Sequence, residues 1–239
     1  MDGRGLSFAL VVTAAGQGVR FDASVPKQFV PLLGIPMLER TLSALSSCEQ
    51  VDALTVVVNS EEVEYCRREI AGEQIEKVVV VTAGGDERSL SVRNGLRALA
   101  ASGSWDLVGV HDGARPLVTC EEIGRAVDAL EEDGSLEGVV LAVPSTDTIK
   151  TVDDEGFITG TPDRRYLWRA QTPQIFRWQA LTDAYGQSEE VLIQATDDAS
   201  LVERLGGKLK VVLGSTDNLK ITDRSDLRHA EHILAERRE

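Results

Sequence analysis

The 239-residue sequence lacks several features that mark particular classes of protein. Its cysteines number three, an odd count at unequal spacings, which argues against a disulfide framework and fits a reducing compartment. No apolar run approaches the roughly 18–20 residues that cross a bilayer, so we expect no membrane partner. The N-terminal segment has one arginine and a short apolar run interrupted by Thr13, which favours a first strand over a signal peptide. These absences predict a globular cytoplasmic protein.

Cations are also scarce, since 25 Lys and Arg stand against 39 Asp and Glu for a net charge of −14. A chain this acidic repels nucleic acids and anionic membranes, so we expect neither as a partner. If the ligand is itself an anion, cations must be concentrated locally to bind it. The positions of Lys and Arg in loops are therefore more informative than their number.

Apolar runs typical of buried strands alternate with segments of helical spacing, which predicts a parallel sheet covered on both faces. A β-hairpin breaks this alternation at 147–152 and 157–161, around an Asp-Asp-Glu-Gly turn. With no repeat or linker in between, we expect one Rossmann-like α/β domain over residues 1–239, with a mostly parallel central sheet and an inserted hairpin arm at 145–170. The predicted strands are 6–13, 54–58, 78–81, 107–110, 139–143 and 208–213, and the predicted helices start at Pro36, Ser89, Cys120, Trp178, Asp198 and Asp223.

The loop after the first strand carries the strongest chemical signal. Small residues there let backbone N–H groups approach a phosphate closely, and two cations in the same loop can reach neighbouring phosphates. Phe21 replaces the third glycine of a dinucleotide fingerprint, Asn59 replaces its ribose carboxylate, and no P-loop Gly-Lys-Ser/Thr occurs, which argues against a dehydrogenase. The small residues and cations of this loop are Ala14, Ala15, Gly16, Gly18, Arg20 and Lys27.

Two further strand ends offer ligand contacts. Gly84, Gly85 and Asp86 follow the third strand, where the glycines permit close approach to a flat ligand, and Ser91 could reach a base edge. Taken alone, this segment is more typical of a plain turn.

Asp112 and Arg115 follow the fourth strand, where open α/β sheets bind ligands. A carboxylate there suits a ribose hydroxyl or Mg²⁺, and an arginine suits a phosphate, although a purely structural Asp112–Arg115 pair stays an alternative. His111 is more typical of packing than of catalysis or metal binding. Gln171 to Gln174 and Asp217 to Lys220 fit surface loops as well as they fit sites.

Eight motifs in order, from Ala14 to Lys220, resemble the 2-C-methyl-D-erythritol 4-phosphate cytidylyltransferases, CTP-dependent enzymes of the non-mevalonate isoprenoid pathway. They read AAGxGxR with PKQ, GGxxRxxSVxxGL, HDxARP, DTxK, a DR pair, TPQ, TDDAS and DNxK. Each motif is weak alone, but together they span nearly the whole chain. The resemblance implies a homodimer in which the hairpin arm reaches across to the neighbouring subunit's site.

The resemblance also implies a role for each matching residue. The catalytic residues would be Arg20 and Lys27 on the CTP phosphates, with Arg164 and Lys220 aiming the acceptor phosphate. The nucleotide would lie against Ala14, Ala15, Gly16, Gly18, Gly84, Gly85, Asp86, Ser91, Asp112 and Gly113. The acceptor would contact Arg115, Thr148, Arg164, Thr172 and Lys220. Mg²⁺ would be held mainly by the CTP phosphates, with Asp112 as a candidate protein ligand.

Two other functions stay open at this stage. A cytidylyltransferase for another polyol phosphate, such as ribitol 5-phosphate, would share the nucleotide half, although the Ala-Ala-Gly loop and Ser91-Val92 favour methylerythritol phosphate. A nucleotide-binding protein without catalysis is the alternative from another class. The presence of cations for both the nucleotide and the acceptor argues against it.

Overall fold

The computed structural model describes residues 5–16, 25–72 and 75–237, and the elements below are those of these ranges. The strands are β1 (Phe8–Thr13), β2 (Pro31–Leu32), β3 (Ile35–Pro36), β4 (Ala53–Val58), β5 (Val78–Ala83), β6 (Leu107–Asp112), β7 (Gly138–Pro144), β8 (Thr151–Val152), β9 (Ile158–Gly160), β10 (Trp168–Arg177) and β11 (Leu209–Leu213). The α-helices are α1 (Met37–Ser46), α2 (Val63–Tyr65), α3 (Arg88–Ala100), α4 (Cys120–Glu132), α5 (Trp178–Tyr185), α6 (Glu189–Gln194), α7 (Asp198–Arg204) and α8 (Arg224–Glu236).

The central sheet has seven strands in the order β11-β7-β10-β6-β1-β4-β5. All pairings are parallel except those of β10, which runs antiparallel to both β6 and β7. From β1 the chain builds outward through β4 and β5, then returns to place β6 on the other side of β1. The carboxyl ends of β1 and β6 therefore flank a topological switch point, where open α/β sheets bind ligands. This sheet confirms the predicted mostly parallel α/β fold.

Helices cover both faces of the sheet, which explains the continuous apolar run of β1. Phe8, Leu10 and Val12 pack with α1 and α4 on one face, whereas Ala9 and Val11 pack with α3 and α5 on the other. Gly95 lets α3 lie directly on the sheet, because a Cβ there would come within 2.5 Å of Val11 Cγ1. This close packing fixes where the N-terminus of α3 points. Among the described residues, no helix is long and apolar enough to cross a membrane.

Strand β10 was not predicted from the sequence. Its polar residues and Pro173 resemble a loop, yet Gln171, Thr172 and Gln174 are buried in the sheet. The register against β7 shifts between Ala170 and Gln174, and the Thr172–Pro173 peptide bond is cis. Polar residues can occupy this strand because their side chains are bonded. Gln171 Nε2 donates to the Ser215 backbone carbonyl at 2.7 Å, Gln174 Nε2 donates to Asp197 Oδ2 at 2.8 Å, and Thr172 Oγ1 accepts from Asp112 N at 3.0 Å.

The segment between β7 and β10 forms the predicted hairpin, with β8 and β9 paired antiparallel. Every residue from 146 to 159 is exposed, so the arm buries almost nothing within its own chain. Its apolar side chains are exposed as well, since Phe157 keeps 66% of its surface accessible to solvent and Ile158 keeps 64%. Such an arm has no core of its own.

The cysteines depart from the prediction, because Cys48 and Cys120 form a disulfide. Cys48 lies just beyond the end of α1, and Cys120 is the first residue of α4. The spacing of 72 residues gave no indication of this pair, since only the packing of the two helices brings it together. Cys66 is free and buried, and burial raises the pKa of its thiol to about 12.

The disulfide predicts a measurable effect of reduction on stability. Closing a 72-residue separation should stabilise the protein by about 4 kcal/mol through the entropy of the unfolded chain. Urea unfolding with and without dithiothreitol measures the difference, with Cys120→Ser as the matched variant that should not respond to the reductant. In urea without reductant, thiol titration should detect Cys66 alone. Detection of three thiols in the purified, unreduced protein would contradict the pairing.

Candidate active site

A cavity of about 360 Å³ opens at the switch point, where β1 and β6 end. Its volume lies in the range typical of small-molecule sites. Residues predicted to contact the nucleotide and the phosphates line it. Gln28, Asn59 and Arg88, for which no role was predicted, line it as well. The lining includes Ala14, Ala15, Gly16, Lys27, Gln28, Asn59, Gly85, Asp86, Arg88, Ser91, Asp112, Gly113 and Lys220. The strand ends therefore bring together segments that lie more than 200 residues apart in sequence.

The first loop contributes small residues and one described cation. Ala14 donates its N–H to the Val57 carbonyl at 2.7 Å, which continues the sheet into the loop. Gly18 and Arg20 lie outside the described residues. Lys27 lines the cavity, and its neighbour Gln28 is buried.

Gln28 anchors the short helical turn that carries Lys27. Its Nε2 donates to Glu62 Oε2 at 2.5 Å, and the same oxygen accepts from Asn59 Nδ2 at 3.1 Å. Asn59, which follows β4, therefore serves as part of an anchor for the Pro-Lys-Gln segment and also lines the cavity. The glutamine of this motif therefore anchors the backbone turn from which Lys27 extends.

The two-glycine loop after β5 is closed by Ser91. The Ser91 hydroxyl accepts from Gly85 N at 3.1 Å and donates to Gly85 O at 3.2 Å. Gly84 has no room for a side chain, because a Cβ would lie 2.6 Å from Ser91 Oγ and 2.8 Å from Ala15 Cβ. Gly84 does not itself line the cavity but lets this loop and the first loop meet.

Asp112 is the electrostatic centre of the cavity. Its Oδ2 lies 3.1 Å from Lys220 Nζ and 3.3 Å from Arg115 Nε, and its Oδ1 lies 3.7 Å from Arg88 Nε. Burial acts to raise the pKa of this carboxyl, but the charges of Lys220, Arg88 and Arg115 outweigh it and hold the pKa well below its usual range. Asp112 is therefore ionised, and it gathers three cations at the end of β6.

A chain of hydrogen bonds beneath the cavity holds Asp112 and His111 in place. Asp112 N donates to Thr172 Oγ1 at 3.0 Å, and Thr172 Oγ1 lies 3.2 Å from His111 Nδ1. On the other side of the ring, His111 Nε2 lies 3.1 Å from the Arg115 carbonyl, which can only accept. Nε2 therefore carries a proton, and burial, which lowers the pKa of His111 to about 4, keeps the ring neutral at pH 7. This agrees with the prediction that His111 is a packing residue.

Arg88 belongs to the GGxxRxxSVxxGL motif, but no site role was predicted for it. It begins α3 and lines the cavity, and its Nη1 and Nη2 donate to the two carboxylate oxygens of Asp198 at 3.1 and 2.8 Å. Asp198 is fully buried and also accepts from the Tyr185 hydroxyl at 2.5 Å. The preceding residue, Asp197, caps α7 through Ser200 N, so the Thr-Asp-Asp-Ala-Ser motif supports the site from behind.

The predicted acceptor residues are divided by the structure. Lys220 lines the cavity, whereas Arg115 and Thr172 lie next to Asp112 and have their polar groups bonded within the chain. Arg115 Nη1 donates to the Asn218 carbonyl at 2.7 Å. Thr148 and Arg164 lie on the exposed arm and do not line the cavity of their own chain. The acceptor roles of all five stay predictions.

Comparison with known proteins identifies the family. A family model described as 2-C-methyl-D-erythritol 4-phosphate cytidylyltransferase matches residues 8–236. The chain belongs to this family. A cytidylyltransferase of this name from Geobacter metallireducens is 43% identical over 96% of the chain and 98% of its own length. Another from Geotalea uraniireducens is 44% identical over 94% of the chain and 95% of its own length.

Solved structures of cytidylyltransferases share the fold. The 4-diphosphocytidyl-2C-methyl-D-erythritol synthase of Anaerococcus prevotii superimposes with a TM-score of 0.81 at 30% identity, covering 97% of this chain and 100% of that one. The cytidylyltransferase of Francisella tularensis gives 0.77 at 30% identity, covering 95% and 99%. The family resemblance stated from the motifs is confirmed.

Burial of His111 predicts a pH dependence of stability. Burial lowers the pKa of His111 to about 4, against about 6.5 in the unfolded chain, so the unfolded state binds the proton first as the pH falls. The contribution of His111 to the free energy of unfolding is complete above pH 6.5 and is lost between pH 6.5 and about 4, by about 3 kcal/mol. Urea titrations across this window measure it. His111→Asn should flatten the slope, and an unchanged slope in that variant would contradict the assignment.

Proposed function

We propose that this cytidylyltransferase moves CMP from CTP to 2-C-methyl-D-erythritol 4-phosphate, giving 4-diphosphocytidyl-2-C-methyl-D-erythritol and pyrophosphate. Membership of the family over residues 8–236 supports the reaction class. The observation that carries the proposal within the structure is the convergence of Lys27, Asp112 and Lys220 in one cavity at the switch point. The nucleotide and the acceptor phosphate both need cations there.

The nucleotide would occupy the side of the cavity formed by the first loop and the start of α3. Backbone N–H groups at Ala15 and Gly16 can approach phosphates or a base without obstruction by long side chains, and Gly85 adds no side chain to the opposite wall. The N-terminus of α3 adds the positive end of a helix dipole. Asp112, ionised and facing the cavity, is the group suited to a ribose hydroxyl.

The reaction requires positioning and charge neutralisation but no protein nucleophile. The acceptor is a phosphomonoester with a second pKa of about 6, so it is mostly a dianion at pH 7 and needs no general base. One of its oxygens attacks the α-phosphorus of CTP, and the bond to the β-phosphate oxygen breaks in line to release pyrophosphate. Lys27 would stabilise the charge that grows on the phosphates, and Lys220 would aim the acceptor. Arg20 would assist Lys27.

A divalent cation such as Mg²⁺ would complete the nucleotide side. Within the described ranges, no group of three or more His, Cys, Asp or Glu side chains could hold a metal ion, which fits a metal held mainly by the CTP phosphates. Asp112 fits as one protein ligand, because its carboxylate is ionised and the residue lines the cavity. When bound, the metal would neutralise charge on the departing pyrophosphate.

The arm would complete the acceptor side in a homodimer. Arg164 and Thr148 do not line the cavity of their own chain, and the arm that carries them exposes its apolar side chains. Such side chains are typical of a surface that a partner covers. The exposed apolar residues of the arm are Ile149, Val152, Phe157, Ile158, Tyr166 and Trp168. A second copy of the chain would bury them and place Arg164 against the neighbouring cavity.

The cytoplasmic location predicted from the sequence stays a proposal. The odd cysteine count had indicated a reducing compartment. The Cys48–Cys120 disulfide removes that argument, since stable disulfides are rare in a reducing cytosol. Rapid alkylation of thiols in intact cells, followed by mass spectrometry, would show the state of this pair in its own compartment.

The reaction is tested by pyrophosphate release with CTP and Mg²⁺, with methylerythritol 4-phosphate and ribitol 5-phosphate offered in parallel. We expect release with methylerythritol phosphate only. Release with ribitol phosphate alone would keep the mechanism but replace the acceptor. No release with either, from folded protein that binds CTP, would favour a nucleotide-binding protein without catalysis.

Sharing of the site between subunits predicts complementation. Lys27→Ala should reduce kcat about 100-fold or more, since its contact strengthens in the transition state. Arg164→Ala should mainly weaken handling of the acceptor. In a mixed dimer of the two variants, one site combines an intact Lys27 with the partner's intact Arg164. Random exchange should therefore restore about a quarter of the wild-type sites.

The matched control mixes Lys27→Ala with Lys220→Ala. Both lysines line the same cavity of one chain, so every site in that mixture lacks one of them and no activity should return. Equal recovery in both mixtures, or recovery in neither, would contradict a shared site.

A further inference from the structure

Arg88 reaches the cavity while its guanidinium is held from behind. Nη1 and Nη2 bond to both carboxylate oxygens of Asp198, at 3.1 and 2.8 Å, and the Tyr185 hydroxyl donates to Asp198 at 2.5 Å. Asp198 is fully buried, whereas the Arg88 side chain keeps 35% of its surface exposed and lines the cavity. A buried carboxylate requires such partners, so the geometry of this cluster is strongly determined.

Asp198 and Tyr185 together form a clamp on the two Nη groups of Arg88. This clamp leaves the Nε edge of the guanidinium directed at the site. With both Nη groups bonded to Asp198, the Nε of Arg88 lies 3.7 Å from Asp112 Oδ1. Residues of three helices define this direction: Arg88 on α3, Tyr185 on α5 and Asp198 on α7. The position of Arg88 thus depends on contacts outside the cavity.

We propose that Arg88 is a positioning residue for CTP, which Asp198 and Tyr185 clamp so that it holds Oδ1 of Asp112 towards the nucleotide. The inference rests on the proposed function, which assigns the ribose contact to Asp112. Arg88 acts through Asp112 and does not touch the reacting atoms. Its two Nη groups are committed to Asp198, so they leave the phosphates to other cations.

The two oxygens of Asp112 separate the two substrates. Oδ2 lies 3.3 Å from Arg115 Nε and 3.1 Å from Lys220 Nζ, both predicted acceptor residues. Oδ1 faces Arg88, which begins the helix on the nucleotide side. A substitution that frees Arg88 from Asp198 should therefore weaken the binding of CTP. It should leave the contacts of Oδ2 with Arg115 and Lys220 in place.

The first test is Arg88→Lys. Lysine keeps the charge but has no fork to bond both oxygens of Asp198 while reaching towards Asp112. We expect the dissociation constant of CTP by calorimetry and the KM for CTP to rise about tenfold, with the acceptor KM within about twofold. A merely structural role would lower Tm and the active fraction but leave both KM values unchanged.

Tyr185→Phe tests the clamp from a residue that does not line the cavity. It removes one hydroxyl that bonds to Asp198 and leaves the Arg88–Asp198 pair, so the fold should survive even if Arg88→Lys is unstable. The KM for CTP should rise about threefold. Glu189→Gln is the matched control, because Glu189 bonds to Arg93 at 2.8 Å and joins the same helix α3 to α6 away from the cavity. It should leave the affinity for CTP unchanged.

The results separate this inference from the proposed function. Unchanged CTP affinity in folded Arg88→Lys and in Tyr185→Phe would overturn it, as would an equal rise for both substrates. If the wild type binds CTP but transfers no cytidylyl group, the proposed function fails. A weaker CTP complex in Arg88→Lys by calorimetry would then still support the positioning role.

Discussion

The candidate site depends on one buried carboxylate that must be neutralised. Asp112 ends β6 at the bottom of the cavity, where an unpaired charge would be strongly unfavourable. Lys220, Arg115 and Arg88 neutralise it from distances of 3.1, 3.3 and 3.7 Å, although they come from widely separated segments. In a chain with a net charge of −14, this is how cations are concentrated where anionic substrates would bind.

The fold supplies that carboxylate at the right place. Reversal of strand order at β1 opens the crevice, and the antiparallel strand β10 brings Thr172 alongside β6 to hold Asp112 and His111. Asn218 adds to this network. Its Nδ2 donates to the Thr172 backbone carbonyl at 3.0 Å, and its backbone carbonyl accepts from Arg115 Nη1. Strand β10 and the loops that follow β6 and β11 are therefore one hydrogen-bonded unit.

Much of this could be predicted from the sequence, because apolar periodicity marks strands such as β1 and the capping box at Thr119 marks a helix start. Strand β10 was missed because Gln171, Thr172 and Pro173 resemble a loop, and only side-chain bonds made in the folded state explain their burial. The Arg88–Asp198 pair, 110 residues apart, and the Cys48–Cys120 disulfide arise from tertiary packing. A single sequence carries no local signal for such pairs.

The most direct test of the central claim, that one carboxylate organises both halves of the site, is substrate binding by Asp112→Asn. The amide keeps the shape but removes the charge that pairs with Arg88 on the nucleotide side and with Lys220 on the acceptor side. The account predicts that the dissociation constant of CTP and the KM of the acceptor both rise about tenfold or more. Asp106→Asn, at the opposite end of β6, should change neither. Wild-type values for either substrate in Asp112→Asn would contradict the account.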